Sequence, residues 1–150
     1  MRQVLIFDVA DRRLGLPAAT LLEVVRAVAI APLPKAPPIV EGVINYRGTV
    51  VPVLNLRQRF GLPAAPLLPE QHFLIARTGG RLVALRVDRA LDLVPVAEAD
   101  VASPADVAPG ADYVSGIARR ADGLLVIHDL DAVLSLDEIH GIDAALGETP

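Results

Sequence analysis

The 150-residue sequence predicts a mainly β protein, in which two related barrels of about five short strands each pack around a shared hydrophobic core. Three observations predict this fold. Apolar segments of strand length alternate with turn residues, the second half of the chain repeats the hydrophobic pattern of the first, and neither half of about 60 residues would be comfortably stable alone. We therefore expect one domain over residues 1–150, with subdomains at about 4–66 and 70–134 and a C-terminal helix at 136–146.

The first half opens with three predicted strands. Residues 4–9 and 14–16 form the first two, and a turn at 17–20 leads into the third. The apolar residues of segment 21–30 fit a helical stripe as well as a strand, but valine and isoleucine pack better on a pleated surface. We therefore predict a strand there. Four prolines between residues 32 and 38 then exclude regular structure.

Two further strands complete the first half. They are predicted at 42–47 and 49–56, joined near the dipeptide Arg47-Gly48, and a short helical turn follows at 57–60. The proline-rich segment 61–69 is predicted to be a loop that crosses over to the second half.

The second half repeats this pattern. Residues 72–78 and 81–87 are predicted to form a hairpin, because Gly79 and Gly80 allow the positive φ of a tight turn. A shift of 69 residues superimposes the apolar positions of the early strands on this region, and a shift of 74 superimposes the later ones. The difference of five residues is assigned to a loop between residues 97 and 113, which is rich in Ala, Asp and Pro.

The C-terminal segment carries a helix signal. Ser135 and Glu138 have the spacing of a capping box, in which each side chain bonds to the other residue's backbone N–H. One apolar stripe follows, formed by Leu136, Ile139, Ile142 and Leu146. We expect the helix to pack on the second half, with its acidic residues facing solvent.

Composition excludes several classes of protein. The chain has no cysteine, so disulfides and thiolate sites are excluded, and its net charge of −4 argues against a general nucleic-acid binder. No charge-free apolar run reaches the roughly 18 residues that a membrane-spanning helix needs, and the N-terminus lacks the apolar region of a signal peptide. These features predict a cytoplasmic protein that does not insert into the membrane.

Catalytic and cofactor motifs are missing as well. His72, His128 and His140 lack metal-ligand spacing, and His128 with the neighbouring Asp129 and Asp131 is a weak metal pattern. The sequence has no glycine-rich phosphate-binding motif after a strand and no nucleophile elbow around a serine. We therefore predict no enzymatic activity, no cofactor and no metal.

One segment carries a specific signal. Residues 42–57, GVINYRGTVVPVLNLR, resemble the signature of the CheW family of chemotaxis coupling proteins, G-V-(I/L)-N-x-R-G followed by an apolar run and P-(V/I)-(I/L/V)-(D/N)-L-R. Shorter similar stretches extend the resemblance over about residues 4–134, and the N-x-R-G part is the most specific. The chain has Asn55 where the family often has aspartate, and Tyr46 where an aliphatic residue is usual.

The resemblance implies a fold and a role. The fold is two SH3-like five-stranded β-barrels around a common core, in agreement with the repeat. The role is that of a scaffold without catalytic activity, which joins the cytoplasmic tips of chemoreceptors to the regulatory domain of the histidine kinase CheA. Since the two barrels are related but unlike, a contact between different barrels of two molecules is heterologous and can close into a ring.

Site residues follow the motif by position. The resemblance places Glu23 and its apolar neighbour Leu21 at the receptor-contacting face, and Arg47 among the receptor or kinase contacts. We expect the Arg47 guanidinium to bind a carboxylate or a helix-end carbonyl. An internal clamp across the lobes stays open as the alternative for Arg47, and an ordinary solvated acid for Glu23. The residues expected to serve turns and packing are Gly42, Asn45 and Gly48.

Two other functions stay open. One is a CheW-like adaptor of a non-chemotaxis array, such as one for twitching motility or surface sensing. The other is a double barrel that binds a small ligand. A deep closed pocket with converging polar groups would favour the ligand-binding protein, whereas a shallow open groove would favour the scaffold.

Overall fold

The computed structural model describes residues 2–78, 80–102 and 114–147, which are mostly β-strands. The strands of the first half are β1 (Arg2–Val9), β2 (Arg12–Pro17), β3 (Leu21–Arg26), β4 (Val40–Tyr46) and β5 (Thr49–Asn55). Those of the second half are β6 (His72–Thr78), β7 (Arg81–Val87), β8 (Arg89–Val96), β9 (Val101–Ala102), β10 (Val114–Arg120) and β11 (Gly123–His128). The α-helices are α1 (Leu56–Arg59), α2 (Leu130–Val133) and α3 (Leu136–Ala145).

The strands form two sheets. One has six strands in the order β8-β1-β2-β11-β10-β9, and the other has five in the order β3-β6-β7-β5-β4. The mainly β fold is therefore confirmed, with sheets of six and five strands where five and five were predicted. The additional strand is the two-residue β9, which pairs with β10.

Each sheet takes strands from both halves of the sequence. The β1–β2 hairpin pairs with β8 and β11, whereas the β6–β7 hairpin pairs with β3 and β5. The order β8-β1-β2-β11-β10 thus corresponds to β3-β6-β7-β5-β4 when each strand is exchanged for its counterpart in the other half. The repeat in the sequence reappears as a repeat in strand order, while the subdomain bounds given above stay a prediction.

Three hydrophobic clusters hold the sheets together. The largest lies between the sheets and includes Phe7 and Leu16 from one sheet and Leu54 and Leu85 from the other. Each of the two smaller clusters is centred on one sheet, for example around Ile127 in the six-stranded sheet. The shared core that the sequence predicted is therefore present, and burying a leucine or phenylalanine in it contributes about 1.5–3 kcal/mol.

Several predicted segments differ in detail from the structure. The strand expected over 21–30 ends at Arg26, and the residues beyond it make an isolated bridge from Ala31 to Val43. The loop expected between 97 and 113 begins with a 3₁₀ turn at Glu98–Asp100 followed by β9. Its remaining part, 103–113, lies outside the described residues.

The C-terminal helix α3 begins as predicted and packs differently. Ser135 and Glu138 form the reciprocal capping box. The helix was expected on the second half, but its Ile142 is buried in the shared core and its Gly141 lies against Pro37 of the first half. Two of its three acidic residues also pair with the two halves, Glu138 with Arg59 and Asp143 with Arg81, whereas Asp137 is exposed as expected. Interleaving of the two halves explains the difference, because no surface of the core belongs to the second half alone.

Gly42 is required by a close approach of two backbone segments. A Cβ atom at this position would lie 2.2 Å from the carbonyl oxygen of Ala31. That oxygen accepts a hydrogen bond from the N–H of Val43 at 2.8 Å, within the bridge that ties the segment after β3 to β4. A side chain at Gly42 would therefore push the two segments apart.

We expect Gly42→Ala to lower the free energy of unfolding by about 2–3 kcal/mol, since forced overpacking costs about 1–3 kcal/mol and the bridge is lost as well. Urea denaturation measures this change. Gly48→Ala is the matched control, because Gly48 has a φ of +84° and no atom lies within 4 Å of the added Cβ. The control variant therefore has backbone strain but no clash, and we expect it to lose about 1 kcal/mol. Equal losses in the two variants would contradict the steric explanation.

Candidate docking site

The N-x-R-G motif forms the turn between β4 and β5. Arg47 and Gly48 both have positive φ, +50° and +84°, and Tyr46 pairs with Thr49 across them. This is the two-residue turn whose backbone twist suits a hairpin. The side-chain Oδ1 of Asn45 accepts a hydrogen bond from the Gly48 N–H at 2.8 Å and closes the turn. Asn45 and Gly48 thus take part in shaping the turn that presents Arg47.

Glu23 lies on β3, at the opposite edge of the same sheet. A β-bulge between Leu21 and Glu23 shifts the strand register at this point. The Oε1 atom of Glu23 accepts two hydrogen bonds, one from the Tyr46 hydroxyl at 2.6 Å and one from Arg47 Nη2 at 2.6 Å. Because β3 and β4 are the two edges of the five-stranded sheet, this contact joins side chains from its two opposite edges.

The charges of this pair stay accessible. The side chain of Arg47 is 72% exposed and that of Glu23 is 36% exposed. The Arg47 guanidinium lies 5.4 Å from the centre of the Tyr46 ring, and the hydrogen bond to Glu23 raises the pKa of the Tyr46 hydroxyl. An exposed ion pair contributes little to stability. The arrangement therefore leaves a guanidinium and a carboxylate available to another molecule.

The structure brings together part of the predicted set. Glu23, Arg47, Asn45 and Gly48 form one cluster, whereas Gly42 lies outside it against Ala31. Leu21 is half-buried and packs against the shared core. The sequence neighbours of Glu23 on β3, Leu22 and Val24, have exposed apolar side chains that sequence reasoning missed, and Val50 on β5 is exposed as well. Alternation along β3 was the signal that could have identified Leu22 and Val24.

Other arginines serve the fold itself. The guanidinium of Arg86 donates to both carboxylate oxygens of Glu41 at 2.8 and 2.9 Å, to the carbonyl oxygen of Ala65 at 2.6 Å and to Gln71 at 3.3 Å. These bonds fix the proline-rich crossover loop to β4 and β7. In the same way, Arg57 donates to Asp88 at 2.7 Å.

The described residues hold no group of three His, Asp or Glu side chains placed to bind a metal ion. His128, the strongest histidine candidate, is buried and packs against Phe60 with 5.1 Å between the ring centres. Burial lowers its pKa. It is therefore a core residue.

Two cavities in the described part of the chain are clefts open to solvent. One of about 510 Å³ lies at the end of the six-stranded sheet, and one of about 660 Å³ lies beside Pro17 and Ser115. Open clefts suit contacts with macromolecules better than they suit a small ligand, which pockets usually bury by 70–90%. No helix among the described residues is long and apolar enough to cross a membrane.

Comparisons with known proteins agree with this geometry. A family model described as CheW-like domain matches residues 3–138. Chemotaxis protein CheW of Treponema pallidum is 29% identical over 143 residues, covering 91% of this chain and 84% of the relative. Chemotaxis protein CheW of Bacillus subtilis is 36% identical over 104 residues, covering 68% of this chain and 67% of the relative.

A solved structure is similar over nearly the same extent. The crystal structure of scaffolding protein TtCheW from Thermoanaerobacter tengcongensis superimposes with a TM-score of 0.82 at 28% sequence identity. The match covers 91% of this chain and 94% of that one. Sequence and fold therefore point to the same family.

Proposed function

The chain belongs to the family of CheW-like domains, and on this premise we propose that it couples chemoreceptors to the histidine kinase CheA in a chemosensory array. Proteins of this family are adaptors without catalytic activity, so the chain is a chemotaxis adaptor and not an enzyme. The proposed partners are the cytoplasmic receptor tip and the regulatory domain of the kinase. The proposed location is the cytoplasm, at the membrane only through the array.

The observation that supports this function is the accessible pair of Glu23 and Arg47. A turn holds Arg47 outward while most of its guanidinium stays in solvent. Leu22 and Val24 expose apolar surface on the same strand as Glu23. Exposed apolar side chains and accessible charges on one edge strand are a combination that protein interfaces use, since the apolar contact supplies affinity and the charges set orientation.

We also propose that array contacts use the equivalent regions of both sheets. Val24 and Val50 of the five-stranded sheet correspond, by the shifts of 69 and 74 residues, to Leu93 and Leu124 of the six-stranded sheet, and all four side chains are exposed. Two unlike surfaces that fit each other form a heterologous contact, which can close into a ring. Such contacts can be small, with affinities near micromolar, about −8 kcal/mol, and gain strength from multivalency.

The comparisons favour neither of the two alternatives, the adaptor of a non-chemotaxis array and the small-ligand-binding double barrel. Most of the relatives carry the name chemotaxis protein CheW.

The test is capture of the partners. The purified chain, immobilised on beads, is incubated with the cytoplasmic fraction of its native cell, and bound proteins are identified by mass spectrometry. We expect the CheA kinase among them, and we expect purified kinase and chain to sediment together with receptor-containing membranes. Sedimentation of the chain with neither partner would overturn the proposed function.

A further inference from the structure

Tyr46 occupies a special position between the two charged residues of the docking site. Its hydroxyl donates to Glu23 Oε1, the same oxygen that accepts the hydrogen bond from Arg47. Its ring lies beneath the Arg47 guanidinium. We infer that the Tyr46 hydroxyl is a positioning group, which holds the Glu23 carboxylate in place when Arg47 moves away to bind an acidic group of a partner. This inference rests on the proposed function.

In the absence of a partner, the Glu23 carboxylate has two hydrogen-bond donors, Tyr46 and Arg47. Its side chain is 36% exposed, so the carboxylate is partly shielded from water, and losing a protein hydrogen bond in that setting is unfavourable. If Arg47 were its sole donor, moving Arg47 to another carboxylate would leave Glu23 unsatisfied. The free energy gained in the new contact would then be offset by the loss of the old one.

The Tyr46 hydroxyl reduces the free energy that is lost when Arg47 leaves Glu23. With the phenol bound to Oε1, the carboxylate keeps a hydrogen bond after Arg47 has left. The backbone supports the exchange, because Tyr46 is the last residue of β4 and pairs with Thr49, which fixes its position while the exposed Arg47 side chain moves. The aromatic ring packs against the hydrophobic cluster of the five-stranded sheet and holds the hydroxyl close to Glu23. Arg47 is therefore free to move, whereas Tyr46 and Glu23 stay in place.

The expected consequence is a loss of affinity without a loss of fold. Tyr46→Phe keeps the ring and its packing and removes the hydroxyl. We expect the variant to bind kinase and receptor about 3- to 10-fold more weakly than the wild type, the effect of one hydrogen bond. In a Glu23→Ala background the hydroxyl has no carboxylate to hold, so Tyr46→Phe is expected to have no further effect.

A second measurement needs no partner. The sequence has two tyrosines, so Tyr113→Phe leaves Tyr46 as the single phenol in an ultraviolet pH titration. Because the hydrogen bond to Glu23 raises the pKa of Tyr46 above its ordinary value of 10, we expect titration above pH 10 in this protein. Adding Glu23→Ala is expected to lower the midpoint toward 10.

The outcomes separate this inference from the proposed function. If the wild type binds its partners and Tyr46→Phe binds equally well, the inference is overturned and the proposed function stands. An equal loss in the presence and in the absence of Glu23 would make Tyr46 a direct contact and would also overturn the inference. If the wild type binds neither kinase nor receptor, the proposed function fails and the inference fails with it, even where the titration shows the hydrogen bond to Glu23.

Discussion

Arg47→Glu is expected to leave the protein folded and to weaken binding to kinase and receptor by about 100-fold or more. The fold survives because the side chain is 72% exposed and its ion pair with Glu23 contributes little to stability. Binding is lost because the carboxylate of the variant repels the acidic partner group that the Arg47 guanidinium would bind. Where the interface buries the charge pair, truncating one member already costs about 2–5 kcal/mol, and reversal adds repulsion. Co-sedimentation at several protein concentrations measures the affinity, and circular dichroism checks the fold.

A charge exchange distinguishes the two roles that the sequence left open for Arg47. The double variant Glu23→Arg/Arg47→Glu restores an ion pair between β3 and the β4–β5 turn but presents the charges in the reverse order. If Arg47 acts through contact with partners, the double variant is expected to bind as poorly as Arg47→Glu. Recovery of wild-type affinity would show that Arg47 is an internal clamp and would reject it as a contact.

The sequence predicted those parts of the fold that depend on local pattern. Alternation of apolar residues located most strands, and the spacing of Ser135 and Glu138 located the start of α3. The N-x-R-G motif located the turn at Gly48 because its asparagine and glycine act within four residues of one another. In each case the interaction that sets the structure is short in sequence, so the pattern carries the necessary information.

The remaining features depend on contacts between distant residues. Exchange of hairpins between the two halves cannot be deduced from two similar strand patterns, because either pairing buries the same apolar faces. The bond from Tyr46 to Glu23 spans 23 positions and joins side chains from opposite edges of the sheet. Leu21 was predicted only as the apolar neighbour of Glu23 at the receptor-contacting face, and the sequence did not indicate the bulge beside it or its packing against the shared core.

The same limitation concealed the polar group with the largest expected effect on stability. Arg86 lies on β7, and nothing nearby in the sequence identifies its partner Glu41, 45 positions away. Their side chains are 9% and 19% exposed. We expect Arg86→Met to lower the free energy of unfolding by about 3–5 kcal/mol, since it leaves a largely buried carboxylate without its cation. Because a domain is stable by about 5–15 kcal/mol in total, part of the population is expected to be unfolded in mild urea.

Two further variants show whether the unpaired charge causes this loss. Adding Glu41→Met removes the carboxylate, and the double variant is expected to recover most of the stability, although the carbonyl oxygen of Ala65 still lacks its donor. Arg2→Met is the matched control, because Arg2 binds Glu98 through two hydrogen bonds at 3.1 Å in a more exposed setting, where solvent screens the charges. Its loss is expected to be much smaller. A double variant as unstable as Arg86→Met would show that the lost bonds to the crossover loop, and not the uncompensated carboxylate, determine the stability at this position.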